Sequence, residues 1–503
     1  MKSSQRLEGD AFLGSPVSAK PLLPKLEFTP RSSTIHADGG NTGSVDYPGP
    51  LGQALNLTSI DLSGLGVFYW DALGTMYGIY IGPCNGSDTN LIQAIAVLDP
   101  ETLAIESAWQ LPYTKTTQLN TAYTQVLMET AEIVVNSVGG QIYILQKSED
   151  AAGSPTIGLR RTIDLTTSGI LKGYRLLNTM MDSAGNVWFT TGVLDGIGGP
   201  AGISAGAATN TSIIGYVEPD GMIHSLEVPN QDIGQGIAVT NTTVFVNTQP
   251  SGKDDHADAE GFISALRPGP GTTIDVVWNA TDKAGSKRKP GALARGSGTT
   301  PSLLGNDFVA LCNNADGQID LLIYAQNASG HDIQPICTVP LWQPNASWTD
   351  NGPMVHFDGK DYGVVLENMY NAPAYADTHN DTNGPWNNLT GQVPGISKIL
   401  VAGDGSGCHV AWTNPGRTTT VPILSTTTGL LYEYEQSAEL ADEGEYVWYA
   451  KAIDYMSGKT VWKARTGAGG KFNNNLRTTL LSPEGTLYQM VTGGVVAIRD
   501  GEC

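Results

Sequence analysis

Positive charge is scarce in this chain: 28 Lys and Arg stand against 49 Asp and Glu among 503 residues, a net −21. Neutralising phosphates takes clustered cations, so this balance argues against a nucleic-acid binder and disfavours anionic membrane surfaces. Charged residues of both signs make up only 15 % of the chain, well below the usual quarter. No apolar run approaches the roughly 18 residues that a membrane span requires, so no membrane insertion is expected. A sustained 3.6-residue apolar period is also missing, which disfavours α/β layouts. There is no Gly-x-Ser-x-Gly elbow, phosphate loop, His-Glu-x-x-His site or dinucleotide fingerprint, so nucleophilic and metallohydrolase chemistry lacks a motif.

Cysteine is sparse as well. Cys84, Cys312, Cys337, Cys408 and Cys503 permit at most two disulfides with one left over. None has the C-x-x-C spacing of a metal or redox site, and buried free thiols are the alternative reading. The start, MKSSQRLEGDAFLG, lacks the apolar stretch of a signal peptide. The chain is therefore either cytosolic or a mature secreted form with a replacement initiator Met1, and the second is the expectation. Its support is a set of Asn-X-Ser/Thr sequons at Asn56, Asn85, Asn210, Asn241, Asn279, Asn327, Asn345, Asn380 and Asn388. Composition alone would give roughly five or six such sites.

What the chain has is turns and short apolar strands. Gly reaches 61 and Pro 28, with 40 % hydrophobic residues to build a core. At roughly 150 residues per domain the length suggests three domains, unless repetition makes one large all-β unit. Repetition is present. A turn followed by an apolar and aromatic strand recurs as Leu73-Gly-Thr-Met-Tyr77, Gly139-Gly-Gln-Ile-Tyr143, Ala184-Gly-Asn-Val-Trp188, Asn241-Thr-Thr-Val-Phe245, Gly305-Asn-Asp-Phe-Val309, Asp358-Gly-Lys-Asp-Tyr362, Thr428-Gly-Leu-Leu-Tyr432 and Glu484-Gly-Thr-Leu-Tyr488. After it comes a second phrase, strand, polar turn and strand, as in AIAVLDPETLAIESAW from Ala94 and YAKAIDYMSGKTVWKA from Tyr449.

Each unit thus supplies four short strands, and one such sheet cannot bury its own two faces. The expected fold is all-β, a β-propeller of eight four-stranded blades, with seven possible if two degenerate phrases share a unit. A solenoid or a pair of β-sandwiches is the alternative. The last phrase stops after three strands, so the segment from Leu51 to Ile60 is expected to supply the fourth and close the ring. Residues 1–50 then read as a partly irregular N-terminal extension and 51–503 as a single propeller domain.

Loop lengths point to a functional face. In a propeller the second-to-third strand connection and the link to the next blade lie on the same side, and here those connections hold nearly all the insertions. They include 192–211, 249–261, 282–298 and 368–394, and long loops on one rim of a rigid scaffold are where a binding site is normally built. His256, in the acidic stretch 253–260, is a candidate acid-base group, and that stretch could alternatively bind a divalent cation or be a solvated loop. Arg295 belongs to a local basic run with Lys283, Lys287, Arg288 and Lys289. Tyr370, Tyr375, His379 and Trp386 would make an apolar, substrate-binding lid, with plain packing on the surface as the alternative. Arg175 and Arg477 precede two first strands, where inward-facing cations can hydrogen-bond a carbonyl or anion.

YAKAIDYMSGKTVWKARTG, with Asp454 before the turn and Trp462 after it, resembles the signature of quinoprotein-like propellers. Those enzymes hold pyrroloquinoline quinone over adjacent cysteines, and no Cys-Cys pair exists here. The Gly-Gly-Gln-Ile-Tyr143 and Glu-Gly-Thr-Leu-Tyr488 turns, the LDPETL hairpin and the Trp- and Asn-rich insert around Trp386 are similar to secreted fungal propellers of tropolonic sesquiterpenoid pathways. That resemblance implies an intermolecular hetero-Diels-Alderase without cofactor or metal, whose partners are a tropolone-derived o-quinone methide and a humulene-type terpene. It assigns no catalytic residue; His256, Arg175, Arg477 and Arg295 are candidates from their placement alone. A non-catalytic small-molecule or glycan-binding propeller and a metal-dependent lactonase-like hydrolase are the competing expectations.

Overall fold

The computed structural model describes residues 7–501 apart from 62–64, 85–86, 115, 121, 172, 193–210, 252–259, 293–294 and 374–383. The turn phrase folds for a local reason. In its first copy the Asp71 carboxylate accepts the amides of Leu73 and Thr75, each at 2.9 Å, and the Tyr77 hydroxyl at 2.7 Å. Gly74 takes the positive φ of 78° that the turn requires. The third copy repeats the device: Asp182 binds the amides of Ala184 and Asn186, and Trp188 Nε1 donates to it at 3.0 Å. Carboxylate and aromatic together fix where the first strand ends and the second begins.

The sheets so formed are eight, in sequence order around a ring: blade 1 (65–112), blade 2 (125–164), blade 3 (176–229), blade 4 (231–283), blade 5 (302–340), blade 6 (354–414), blade 7 (423–468) and blade 8 (479–499). The eight-bladed reading holds. Blade 8 has three strands of its own, and Asn56–Ile60 pairs antiparallel with Gly494–Arg499 to complete it. Asp500 clasps the joint by accepting the amides of Leu51 and Gln53, each at 2.7 Å.

The hydrophobic core is divided among the blade seams. One cluster lies at each of the eight, for example Phe68 and Trp70 of blade 1 against Tyr488 and Met490 of blade 8, or Trp188 and Tyr216 of blade 3 against Val244 and Val246 of blade 4. Strands buried on both faces explain the near-continuous apolar runs in the sequence. Burying one such large side chain contributes roughly 1.5–3 kcal/mol. The outer edges of blades 5 and 6 are joined covalently by the Cys337–Cys408 disulfide, while Cys312 is a buried thiol. Cys84 and Cys503 lie outside the described side chains.

The N-terminal region is woven into the ring. Phe12–Gly14 adds a fifth strand to the outer edge of blade 7, with Phe12 stacked on Trp462. The chain then crosses the face that carries the short turns, and Lys20 and Leu22 amides donate to Thr428 and Thr426. Ser32–Ser33 pairs with the innermost strand of blade 2, and Ser44–Val45 runs parallel to the innermost strand of blade 7. Between them residues 34–43 fill the axis. The amides of Val239, Leu303, Val355 and Leu424, from the inner strands of blades 4 to 7, donate to the carbonyls of Gly39, Gly40, Thr42 and Gly43. Asp38 organises this plug by accepting the amides of Gly40 and Thr42, the Thr42 hydroxyl at 2.7 Å and Lys25 Nζ at 3.0 Å.

Candidate functional site

With residues 34–43 bonded across the axis to the inner strands of blades 4 to 7, the face with the long connections is the candidate side for a ligand. The chain leading into each inner strand forms the mouth there. These leads are rich in Asn, Thr and Gly, and side chains of one latch onto the backbone of the next. Asn178 Nδ2 donates to Gln235 O at 2.8 Å, Gly236 N to Thr300 Oγ1 at 3.2 Å, Asn351 Nδ2 to Thr420 O at 2.6 Å and Thr420 Oγ1 to Arg477 O at 2.8 Å. Asn41 of the plug binds the same belt, donating to Ile237 O and Pro301 O. A neutral hydrogen-bonded collar is the result.

Tyr123 projects across this collar. Belonging to the lead into blade 2, it lies against Gly236 and Thr300, which precede blades 4 and 5. Burial raises its phenol pKa above the ordinary value; hydrogen bonds with Thr300 and the Gly236 amide oppose that rise, and the nearby Asp350 carboxylate adds to it. Tyr123 is therefore a neutral hydroxyl at physiological pH, and it stays partly exposed. Beside it the plug tip offers Ile35, also partly exposed. Between Ile35, Tyr123, Thr124, Asn178 and Ile237 is a cavity of about 10 Å³, enough for about one water molecule. His36, buried against Gly352, has its pKa lowered to about 4 by burial, with Asp38 opposing, so its imidazole is neutral.

The residues singled out from sequence are distributed unevenly around this mouth. Arg175 and Arg477 do stand at the starts of the inner strands of blades 3 and 8, half-buried. Arg295 is turned into the blade 5 link, where Nε and Nη2 donate to Gly285 O at 2.9 and 2.7 Å. Tyr370 packs against the seam of blades 5 and 6. Trp386 is buried at 4 % exposure, and the loop that carries it is fastened by Gln436 Nε2 to Asn387 O at 2.5 Å and by Asn473 Nδ2 to Asn387 Oδ1 at 2.9 Å. Trp386 therefore belongs to the wall in this conformation. His256, Tyr375 and His379 lie outside the described residues, as do Asn85, Asn210 and Asn380. Among the other sequons, Asn56, Asn241, Asn327 and Asn345 are exposed and Asn279 and Asn388 half-buried. Among the described residues no group of three or more His, Cys, Asp or Glu is placed to hold a metal ion.

Tyr123 and the plug residues are absent from the sequence-based candidates. The signal for Tyr123 was one aromatic in the polar lead 120–124, which no repeat phrase covers.

No protein-family model matches the chain. An uncharacterized protein of Archaeoglobus fulgidus is 22 % identical over 321 residues, covering 59 % of this chain and 58 % of that protein's length. Among solved structures, the WD40 domain of SCAP from fission yeast is similar with a TM-score of 0.44 and 10 % identity, covering 88 % of this chain and 98 % of that one.

Proposed function

We propose that the mouth on the long-loop face takes up small, largely apolar molecules and that the protein is a cofactor-independent pericyclase. In this reading it joins a tropolone-derived o-quinone methide to a humulene-type sesquiterpene by hetero-Diels-Alder cycloaddition. The observation that carries it is the closure of the axis by residues 34–43, which makes the mouth blind-ended; among the described residues its collar presents neutral hydrogen-bonding groups. Cycloaddition suits such a lining. It needs two reactants held in register, worth about 7–11 kcal/mol in ideal cases, and a donor aimed at the heterodiene oxygen. Tyr123 is the best-placed donor, with Arg175 and Arg477 at the same rim. The resemblance of the turns and the Trp386 insert to fungal tropolonic-pathway propellers is the ground for the substrate class, and the exposed sequons are the ground for a secreted glycoprotein.

The test is to incubate purified protein with an o-quinone methide precursor and a humulene. One stereoisomer formed well above the uncatalysed background is expected. Background product ratios with retained equilibrium binding would overturn catalysis and leave a binding propeller; lactone hydrolysis that a chelator abolishes would favour a metal-dependent hydrolase instead.

A further inference from the structure

Two carboxyl groups meet inside the protein at the seam of blades 6 and 7. Glu367 ends the second strand of blade 6, and Glu433 lies on the second strand of blade 7; they are 0 % and 1 % exposed. Their side chains face one another within hydrogen-bonding reach. Glu367 Oε2 accepts Asn351 Nδ2 at 3.3 Å, but no donor among the described residues satisfies Glu367 Oε1 or either oxygen of Glu433. Thr418 approaches Glu433, yet its hydroxyl donates to Tyr434 O at 2.7 Å.

The cations nearby are already engaged. Lys451 Nζ donates to Glu435 Oε2 at 2.8 Å and to Asn414 Oδ1 at 2.9 Å, and Lys463 pairs with the other oxygen of Glu435. Two lysines and Glu435 leave one positive charge, which balances one carboxylate of the facing pair and not two. The second must carry a proton, because two bare carboxylates in contact in a buried site repel strongly and lose their hydration. The groups facing the pair are Cys312 from blade 5, Asn351 and Thr418 from the leads, and Lys451 and Glu435 from blade 7.

We infer that Glu367 and Glu433 share one proton and form a bolt across the seam of blades 6 and 7, which is released when that proton is lost. The bolt reaches the mouth. Asn351 Nδ2 donates both to Glu367 Oε2 and to Thr420 O, so a shift of the pair is passed to the collar between these blades. Burial raises both groups well above the usual carboxylate range, Glu367 to about 8, consistent with release on the mildly alkaline side. On release the proton passes to solvent base and both carboxylates are charged. The seam beside the mouth then loosens, which makes the site pH-gated.

Infrared difference spectroscopy on the full-length protein, with exchange from H2O to D2O, tests this without any substrate. A protonated carboxyl carbonyl band is expected at pH 7 and lost by pH 10, and it should be missing from both Glu367→Gln and Glu433→Gln. Asp282, a separate buried carboxyl raised to about 7, is removed by Asp282→Asn so that its band is not confused with the pair. In parallel, Tm of the wild type should fall as pH rises from about 5 to about 8 and level off above that, because over this range the folded pair keeps a proton that the unfolded chain has lost, and the fall should flatten in either Gln variant. No such band in the Asp282→Asn background at pH 7, or a band unaltered in both Gln variants, would overturn the proposal. Should the Gln variants fail to fold, the titration of the band in Asp282→Asn alone decides it.

Discussion

The side chain of Asn41 holds the carbonyl of Pro301 at 2.9 Å, and with its other hydrogen the carbonyl of Ile237, so one amide ties the N-terminal plug to blades 4 and 5. Both carbonyls are buried, and losing the donor leaves them without it. Asn41→Asp is expected to destabilise the protein by about 2 kcal/mol or more in urea unfolding, because a carboxylate then faces two carbonyl oxygens. Asn41→Gly, which keeps the positive φ of 56°, should cost less. Equal stability of wild type and Asn41→Asp would mean the plug is not fastened there.

Acid should weaken the same plug through His36. Its folded pKa of about 4 lies below the ordinary 6.5, so between these values the unfolded chain binds a proton that the native one does not. Stability from this group is therefore full above about pH 6.5 and declines as pH falls towards 4, by roughly 3 kcal/mol in all. Denaturation midpoints for wild type and His36→Gln across pH 4–7 should show a shallower acid decline in the variant. Parallel curves would contradict the assignment.

Reduction should act on one seam. The Cys337–Cys408 bridge joins the outer strands of blades 5 and 6 across 71 residues of sequence. Breaking it is expected to cost about 2–4 kcal/mol. The double variant Cys337→Ser with Cys408→Ser should lose the same amount and become insensitive to reductant, whereas a wild-type Tm unchanged by reductant would show that the bridge adds nothing.

Removing the Tyr123 hydroxyl separates binding from chemistry. Tyr123→Phe should lower kcat for the cycloaddition by about 100-fold, in the range of a lost oxyanion donor, with a small change in KM. Unchanged kcat would take Tyr123 out of the reaction.

The repeat was legible because each turn carries its own cause. Asp71 and Tyr77, or Asp182 and Trp188, lie within a few residues of each other, so the phrase that makes the turn is visible in the string. Closure by the segment 51–60 was legible for a similar reason, since three strands lacked a fourth and one apolar stretch remained. The plug was not. Residues 34–43 form no periodic element, and what holds them are single bonds to Val239, Leu303, Val355 and Leu424, hundreds of residues away. Gly40 shows the difficulty: it reads as a loop glycine, yet a β-carbon there would come within 2.6 Å of the Phe28 ring. Trp386 misleads in the opposite direction. Set among Asn, Pro and Gly it reads as an exposed lid aromatic, whereas bonds from Gln436 and Asn473 to Asn387 draw its loop down against blades 7 and 8.

Because the plug tip forms the floor of the mouth, filling that floor tests the account more directly than altering any loop. Ile35→Trp adds bulk at a partly exposed position next to Tyr123 and leaves the rim untouched. Measured cycloaddition with the o-quinone methide and humulene pair is expected to fall at least tenfold while the circular dichroism spectrum and Tm stay close to wild type. Full turnover by a folded Ile35→Trp protein would place the chemistry somewhere other than the mouth.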